Sequence, residues 1–258
     1  MVEPELNSTL IVLQKKVSLG LLAIACLLIL GHIAGLVSGF GFGHFRLFGL
    51  VRLFDLNEEG NVPTYFSSML HFIAGLLLFL IAFSYKKQGD RQWTKWFILG
   101  LFFFYVSIDE SASIHELAIN PVREYFGARG LLYFAWVIPA CAILIAMGVY
   151  FARFLFQLPS KTRLLFFLSG GLFLGGAIGV ELPEGLWVEQ HGRENLVFGL
   201  FTAVEESLEM FGVILFIHAL TGYLAEYLPR HSIVFQSAEE CKAKKEQGGG
   251  KNVRRDVC

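Results

Sequence analysis

Two short acidic stretches lie within apolar runs, and they are the parts of this sequence best suited to chemistry. The first, residues 106–116 (VSIDESASIHE), directly follows the apolar run 96–106. The second, residues 202–209 (TAVEESLE), also has apolar residues on both sides. An acid at the centre of a bilayer costs roughly 2.5–3.5 kcal/mol, so such residues usually face a protein interior, a water-filled cavity or a bound ion. We therefore expect the two stretches to meet in one site.

The residue types in and around these stretches are those that bind divalent metals. Carboxylate oxygen and imidazole nitrogen are ligands for zinc, iron and manganese. Carboxylates that gather in an apolar environment without a lysine or arginine cannot all be ionised unless a cation lies among them. The sequence thus predicts a divalent metal, with zinc, iron and manganese as the candidates, and with ligands drawn from His71, Asp109, His115, Glu116, Glu181, Glu205 and Glu209.

Helical spacing indicates which of these side chains point the same way. Asp109, Ser113 and Glu116 recur at i, i+4 and i+7, which is one face of a continuous helix. Glu205 and Glu209 are four residues apart and lie on the same edge of the second helix. Each helix is therefore expected to present a row of acids to the other.

The elements that position these residues are membrane-spanning helices. The chain has 258 residues, 55% of them hydrophobic and only 17% charged, with 26 phenylalanines, which is far more apolar than a soluble domain. We predict an all-α integral membrane protein, a bundle of about six transmembrane helices, with an interfacial amphipathic segment at 45–54 in the first outer loop. The predicted spans are 17–40, 64–84, 95–117, 131–156, 163–184 and 195–222.

Charge in the loops sets the expected topology. Lysine and arginine gather at one end of the predicted bundle, and the positive-inside rule places that end in the cytoplasm. The basic residues concerned are Lys15, Lys16, Lys86, Lys87, Arg91, Lys95, Lys161 and Arg163. The prediction is a cytoplasmic N-terminus at 1–16, a six-helix domain at 17–228 and a disordered cytoplasmic tail at 229–258. At 1.5 Å of rise per residue, the acids then fall in the outer half of the bilayer.

Two stretches give the chain a family resemblance. The sequence FDLNEEGNVPTYFSS, residues 54–68, and the sequence SIDESASIHE, residues 107–116, resemble a group of uncharacterised bacterial multi-pass membrane proteins. The resemblance implies a bacterial inner-membrane protein and covers most of the spanning region. It implies no activity.

The first functional hypothesis is a metal-dependent enzyme that acts on a lipid or another small hydrophobic substrate. A bound metal lowers the pKa of its water towards about 7 and polarises the substrate. Glu110 and Glu206, the spare acids of the two stretches, are expected to transfer protons as catalytic residues. The lipid bilayer is the expected partner, and the net charge of −1 gives no reason to expect nucleic acid.

Two other classes of function use the same residues. In a proton- or cation-coupled transporter, the carboxylates would bind and release their ion, as acid chains do in pumps. Such a protein needs a second polar layer towards the cytoplasmic side, and the inner halves of the spans are nearly free of charge. In a structural or assembly subunit, the buried acids would serve only contacts between helices.

Overall fold

A computed structural model describes residues 3–227, with side chains from residue 11 onward. The predicted tail at 229–258 lies outside the described residues. The described part is helical and contains no strand. Its helices are α1 (Glu3–Leu36), α2 (Leu50–Leu53), α3 (Val62–Lys87), α4 (Trp93–Ala112), α5 (Ile119–Phe126), α6 (Val137–Gln157), α7 (Ser160–Leu174), α8 (Glu181–His191) and α9 (Leu196–Tyr227).

Within residues 3–227, five helical runs are long and apolar enough to cross a membrane. A sixth crossing is made if α4 and the residues from His115 to Phe126 count as one span, although these two parts are bent by 77°. The prediction of an all-α integral membrane protein with about six spans is confirmed. The five runs are Ile11–Gly41, Val62–Lys87, Val137–Gln157, Ser160–His191 and Leu196–Tyr227.

Helix α9 is the centre of the bundle, because α1, α3 and α7 all pack against it. Glycines let the backbones approach closely at these crossings. A Cβ atom built on Gly199 would lie 2.5 Å from a side-chain carbon of Leu36 in α1. One built on Gly212 would lie 2.7 Å from the backbone nitrogen of Phe173 in α7. Helices α3 and α4 pack through Gly75 and Gly100 in the same way.

The half of the bundle nearer Lys161 is closed by aromatic side chains. Trp96 is fully buried there, with its ring centroid 4.9 Å from that of Phe154 and 5.0 Å from that of Tyr223. The hydroxyls of Tyr85 and Tyr223 hydrogen-bond to each other beside it. At the end of α9, Lys161 and Glu226 form an ion pair of 2.7 Å. This half therefore contains an apolar core and no acid layer among the described residues.

The loop between α1 and α3, predicted to be the first outer loop, folds back onto α1. Phe54, Val51 and Phe45 lie over Gly31, Gly35 and Gly39, one residue on each glycine. The three glycines thus leave room for the loop to pack against the helical run Ile11–Gly41. Phe48 in the loop is fully exposed.

Candidate functional site

The first acidic stretch does not continue as a helix. Helix α4 ends at Ala112, and Ser113 adopts the left-handed conformation with φ 47°. A 3₁₀ turn, His115–Ala118, then begins. The prediction of one continuous helix over 95–117 is therefore wrong, and with it the shared face of Asp109 and Glu116. Glu116 is exposed on the turn.

Asp109 is the residue that stabilises this break. Its Oδ1 accepts the backbone N–H of His115 at 2.8 Å, and its Oδ2 accepts the Nδ1–H of the same histidine at 2.9 Å. The two bonds fix the ring and leave Nε2 of His115 as the nitrogen free to exchange a proton. This is the arrangement in which a carboxylate orients a histidine for acid–base work.

His115 connects this break to the acids of α8 through its contact with Trp136. Its ring lies 4.7 Å from that of Trp136, and Trp136 Nε1–H donates to Glu181 Oε1 at 2.6 Å. Glu181 is buried, and its Oε2 has no hydrogen-bond partner among the described residues. A buried acceptor of this kind is uncommon, because an unsatisfied polar atom costs desolvation energy. The structure thus brings the predicted ligands Asp109, His115 and Glu181 into one neighbourhood.

Glu184 belongs to the same region, although it was not among the predicted ligands. The predicted span ended at 184, whereas the helix runs on through a π-helical segment, Gly175–Val180, and α8 to His191. Glu184 is buried, and its Oε1 accepts the hydroxyl of Thr202 at 3.1 Å. Its carboxyl also lies close to that of Glu205 on α9. Two buried carboxyl groups this close repel each other unless one of them carries a proton or a cation lies between them.

The acids of α9 lie where the π-helical segment packs against α9, at Gly176. A Cβ atom built on Gly176 would lie 2.6 Å from the backbone oxygen of Glu205 and 2.9 Å from Cγ of Glu209. Glu206 lies within electrostatic range of Glu110 on α4 and of Glu184, and Glu209 lies within range of both Glu206 and Glu110. Glu110 of the first acidic stretch is therefore within electrostatic range of Glu206 and Glu209 of the second.

His71 presents an unpartnered nitrogen inside the bundle. The residue is 1% exposed, and its Nδ1–H donates to the backbone oxygen of Ser67 at 3.0 Å. Its Nε2 then carries a lone pair and has no hydrogen-bond partner among the described residues. The hydroxyl of Ser67, one turn away, is also unpartnered, and the Glu110 carboxyl approaches it without completing hydrogen-bond geometry. A lone pair of this kind is available to a metal or to a proton.

Glu59, in the first outer loop, lies near these residues. It was not among the predicted site residues. Burial raises the pKa of its carboxyl above the ordinary value, while the nearby Ser113 side chain opposes that rise. The charges of Glu110 and Glu116 raise the pKa further. Glu59 therefore lies beside the break after α4.

The geometry is short of a preformed metal centre. Within residues 3–227, no three histidine, cysteine or acidic side chains are positioned together as a metal would require. The contacts are pairs, Asp109 with His115 and Glu184 with Glu205, beside single side chains with free acceptors. The metal site stays a prediction on the residues given above.

His32 forms a second polar contact, between α1, the first outer loop and α9. Its Nε2–H donates to the backbone oxygen of Gly199 at 3.0 Å. Its Nδ1 either accepts the N–H of Leu56 at 3.1 Å or, when protonated, donates to Oδ1 of Asp55 at 3.2 Å. Burial raises the pKa of the Asp55 carboxyl, but the hydrogen bonds from His32 and from the Asn57 N–H outweigh it and lower the pKa below its usual range.

The lowered pKa of Asp55 makes a prediction about stability and pH. A carboxyl whose pKa is lower in the folded chain stabilises the fold above its unfolded pKa, near 4, and this contribution is lost as the pH falls through the lower folded value. Asp55→Asn is expected to cost about 1–2 kcal/mol at pH 6 and little at pH 2. Urea unfolding of both proteins in detergent at the two pH values measures the difference. An equal cost at both pH values would show that the Asp55 charge does not stabilise the loop.

Comparison with known proteins gives a family and no activity. A family model described as a domain of unknown function (DUF8692) matches residues 20–223. No curated protein and no solved structure matches the chain. The matched range includes both acidic stretches and every residue of the candidate site.

Proposed function

The chain belongs to the family described as a domain of unknown function (DUF8692). Since this description gives no activity, the function has to be inferred from the side chains. We propose that it is a membrane enzyme that uses a divalent metal, held by a cluster of carboxylates and histidine, on a lipid or another hydrophobic substrate.

The observation that carries the proposal is the convergence of acids on four elements without matching cations. Within the described residues, no lysine or arginine forms an ion pair with the converging acids, and the pair of Lys161 with Glu226 lies at the other end of α9. Only Arg193 is within electrostatic range, and it acts on Glu184. Acids this close either hold protons or share a cation. The cluster consists of Glu59, Glu110, Glu181, Glu184, Glu205, Glu206 and Glu209.

A metal is the occupant best matched to the free acceptors. Nε2 of His71 and Oε2 of Glu181 are buried lone-pair donors that lack a hydrogen bond within the described chain. With Glu205 and Glu209, they supply the mixed nitrogen and oxygen set that zinc, iron and manganese accept. Since no three of them converge, metal binding on this account requires side-chain rotation.

The remaining groups have the chemistry to move protons. Asp109 holds His115 by Nδ1, so Nε2 can take up or deliver a proton. Glu110 and Glu206 are the spare acids and are kept as proton-transfer residues. When bound, the metal would supply an activated water for hydrolysis.

The proposal includes the place of the protein in the membrane. The basic end, with Lys15, Lys16 and Lys161, is assigned to the cytoplasm by the positive-inside rule. The acids then lie in the outer half of a bacterial inner membrane, and 45–54 lies at its surface as an amphipathic segment. The fully exposed Phe48 favours such contact with lipid.

The closed inner half favours an enzyme over a transporter. The aromatic core around Trp96 separates the acids from the basic end, and no acid layer continues through it among the described residues. A polar layer confined to one half of the bundle suits catalysis better than passage of an ion, which needs polar groups along its whole path.

Proton- or cation-coupled transport is the second candidate function. The observation that favours it is the closeness of the Glu184 and Glu205 carboxyls, because two neighbouring buried acids can bind and release a proton between them. Proton binding needs no group of three ligands. A structural or assembly role is the third candidate and requires neither metal nor proton exchange.

The test uses full-length protein in vesicles of phosphatidylethanolamine and phosphatidylglycerol, with zinc, manganese or iron(II) added in turn. Mass spectrometry follows lipid products, and a dye inside the vesicles follows proton flux. The enzyme hypothesis predicts products with wild type, none with Glu206→Gln, and no flux. Flux that Glu205→Gln abolishes, without products, would establish the transporter instead. Inactivity in both assays, with all metals, would leave the structural role.

A further inference from the structure

A cavity separate from the acids opens between α1, the first outer loop and the start of α9. Its volume is about 430 Å³, within the range of small-molecule sites. None of its lining residues belongs to the acid cluster of the proposed function, so the inference drawn here is independent of that proposal.

One side of the cavity is apolar. It is lined by Leu36, Phe40, Phe45 and Val51. Gly35 and Gly39 also line it, and because they have no side chains they leave space beneath these residues. The helical run Ile11–Gly41 ends among these residues, and on the proposed topology they lie near the boundary between the hydrocarbon layer and the interface. Lipid acyl chains and headgroups meet at this level.

The other side carries both signs of charge. Asp55, Arg193 and Glu194 line it, together with Asn57 and Asn195. Oδ1 of Asp55 is taken up by His32 and by the Asn57 N–H, while Oδ2 has no hydrogen bond within the described chain. Arg193 lies with its guanidinium carbon 5.2 Å from the centroid of the Phe134 ring and has no carboxylate within 4.0 Å among the described residues.

The polar end is held in place by its own contacts. His32, at the base, is 3% exposed and is bonded to α9 through Gly199 and to the loop through Leu56. The Asn195 side-chain oxygen accepts from Phe198 N–H at 3.0 Å and fixes the start of α9. A site whose walls are already fixed loses little freedom when a ligand binds.

From this pairing of an apolar wall with two acids and an arginine, we propose that the cavity binds a zwitterionic phospholipid with a primary ammonium headgroup, phosphatidylethanolamine being the simplest. The ammonium has three N–H donors for Asp55 and Glu194. The phosphate accepts from Arg193. The first part of an acyl chain lies along Leu36, Phe40 and Phe45. An anionic lipid meets two acids against one arginine, and a choline headgroup offers no N–H donor.

The test is native mass spectrometry of delipidated full-length protein in detergent, with phosphatidylethanolamine, phosphatidylcholine or phosphatidylglycerol of identical chains added at equal concentration. We expect phosphatidylethanolamine to bind about tenfold more tightly than either of the others, the effect of one charge-assisted hydrogen bond. Free phosphoethanolamine tests the role of the chains and is expected to bind much more weakly. Equal retention of all three lipids by wild type would mean lipid coating only and would overturn the proposal.

Variants locate the binding in the cavity. Asp55→Asn/Glu194→Gln is expected to lower phosphatidylethanolamine binding to the phosphatidylcholine level. Gly35→Leu, which adds a side chain to the apolar wall, is expected to remove it. Arg91→Gln, an exposed residue in the loop before α4, is the matched control and is expected to bind as wild type does. Unchanged preference in both cavity variants contradicts the assignment, and the headgroup comparison on wild type decides the matter if either variant does not fold.

Discussion

Gly212→Ala is expected to destabilise the bundle by about 3 kcal/mol or more, at or beyond the upper end of the usual cost of overpacking a core. A Cβ atom at this position lies 2.7 Å from the backbone nitrogen of Phe173 and 2.9 Å from the backbone oxygen of Ser169. Both are backbone atoms, so no side chain can rotate away. Helices α7 and α9 would have to separate, and with them the crossing next to the acids.

The matched control for this variant is Gly171→Ala. No atom lies within 4 Å of a Cβ built at Gly171, which is exposed on α7. Alanine there is expected to be neutral or slightly stabilising, because it has the higher helix propensity. Unfolding by sodium dodecyl sulphate in mixed micelles measures both variants. Equal stability of the two would show that α7 and α9 do not cross at Gly212.

Trp96→Ala is expected to cost about 3–5 kcal/mol, the range for removing a large buried aromatic side chain. Trp96 is fully buried and packs on Phe154, Phe166 and Tyr223, from α6, α7 and α9. The variant opens a cavity in the core that separates the acids from the basic end. The same unfolding assay gives the free energy.

Trp96→Phe separates packing from hydrogen bonding at this position. The indole Nε1–H has no partner among the described residues, so phenylalanine removes an unsatisfied donor together with part of the ring. Its expected cost is below about 1.5 kcal/mol. If alanine were tolerated as well as phenylalanine, the half of the bundle nearer Lys161 would not be a tight core, and the argument against ion passage would fail.

The spans were predictable because apolar composition is a property of the sequence alone. The runs that became α3, α6 and α9 needed only their length and hydropathy to be recognised. Their ends were less predictable: α9 continues to Tyr227, five residues beyond the predicted end at 222. Helix ends depend on capping and packing, which a hydropathy pattern does not contain.

The break after α4 was not predictable from periodicity. Residues 107–116 fit a helical face, yet the chain leaves the helix at Ser113 because Asp109 accepts two hydrogen bonds from His115. A non-glycine residue in the left-handed region is uncommon. The signal available in the sequence was the Ser-x-Ser run between two acids, since serine and aspartate compete with the helix backbone for hydrogen bonds.

The sequence predicted the helices that carry the candidate site, but only some of the residues in it. The approach of residues 106–116 to 202–209 was predicted, because acids in apolar runs must find a common interior. Glu184 was missed because the fifth span was ended too early, although its position three residues after Glu181 placed both on one face. Glu59 and His32 were missed because loop folding decides their neighbours. The predicted metal set was not tested by the fold.

Elemental analysis of detergent-purified protein tests the central claim most directly, with wild type measured beside the Asp109→Asn/Glu205→Gln double variant. The account predicts a stoichiometric divalent metal in the wild type and its loss in the variant, with both proteins folded by circular dichroism. Metal retained by the variant would contradict the assigned site. Absence of metal from folded wild type, even after incubation with zinc, manganese and iron(II), would contradict the metal itself and leave proton-coupled transport or a structural role.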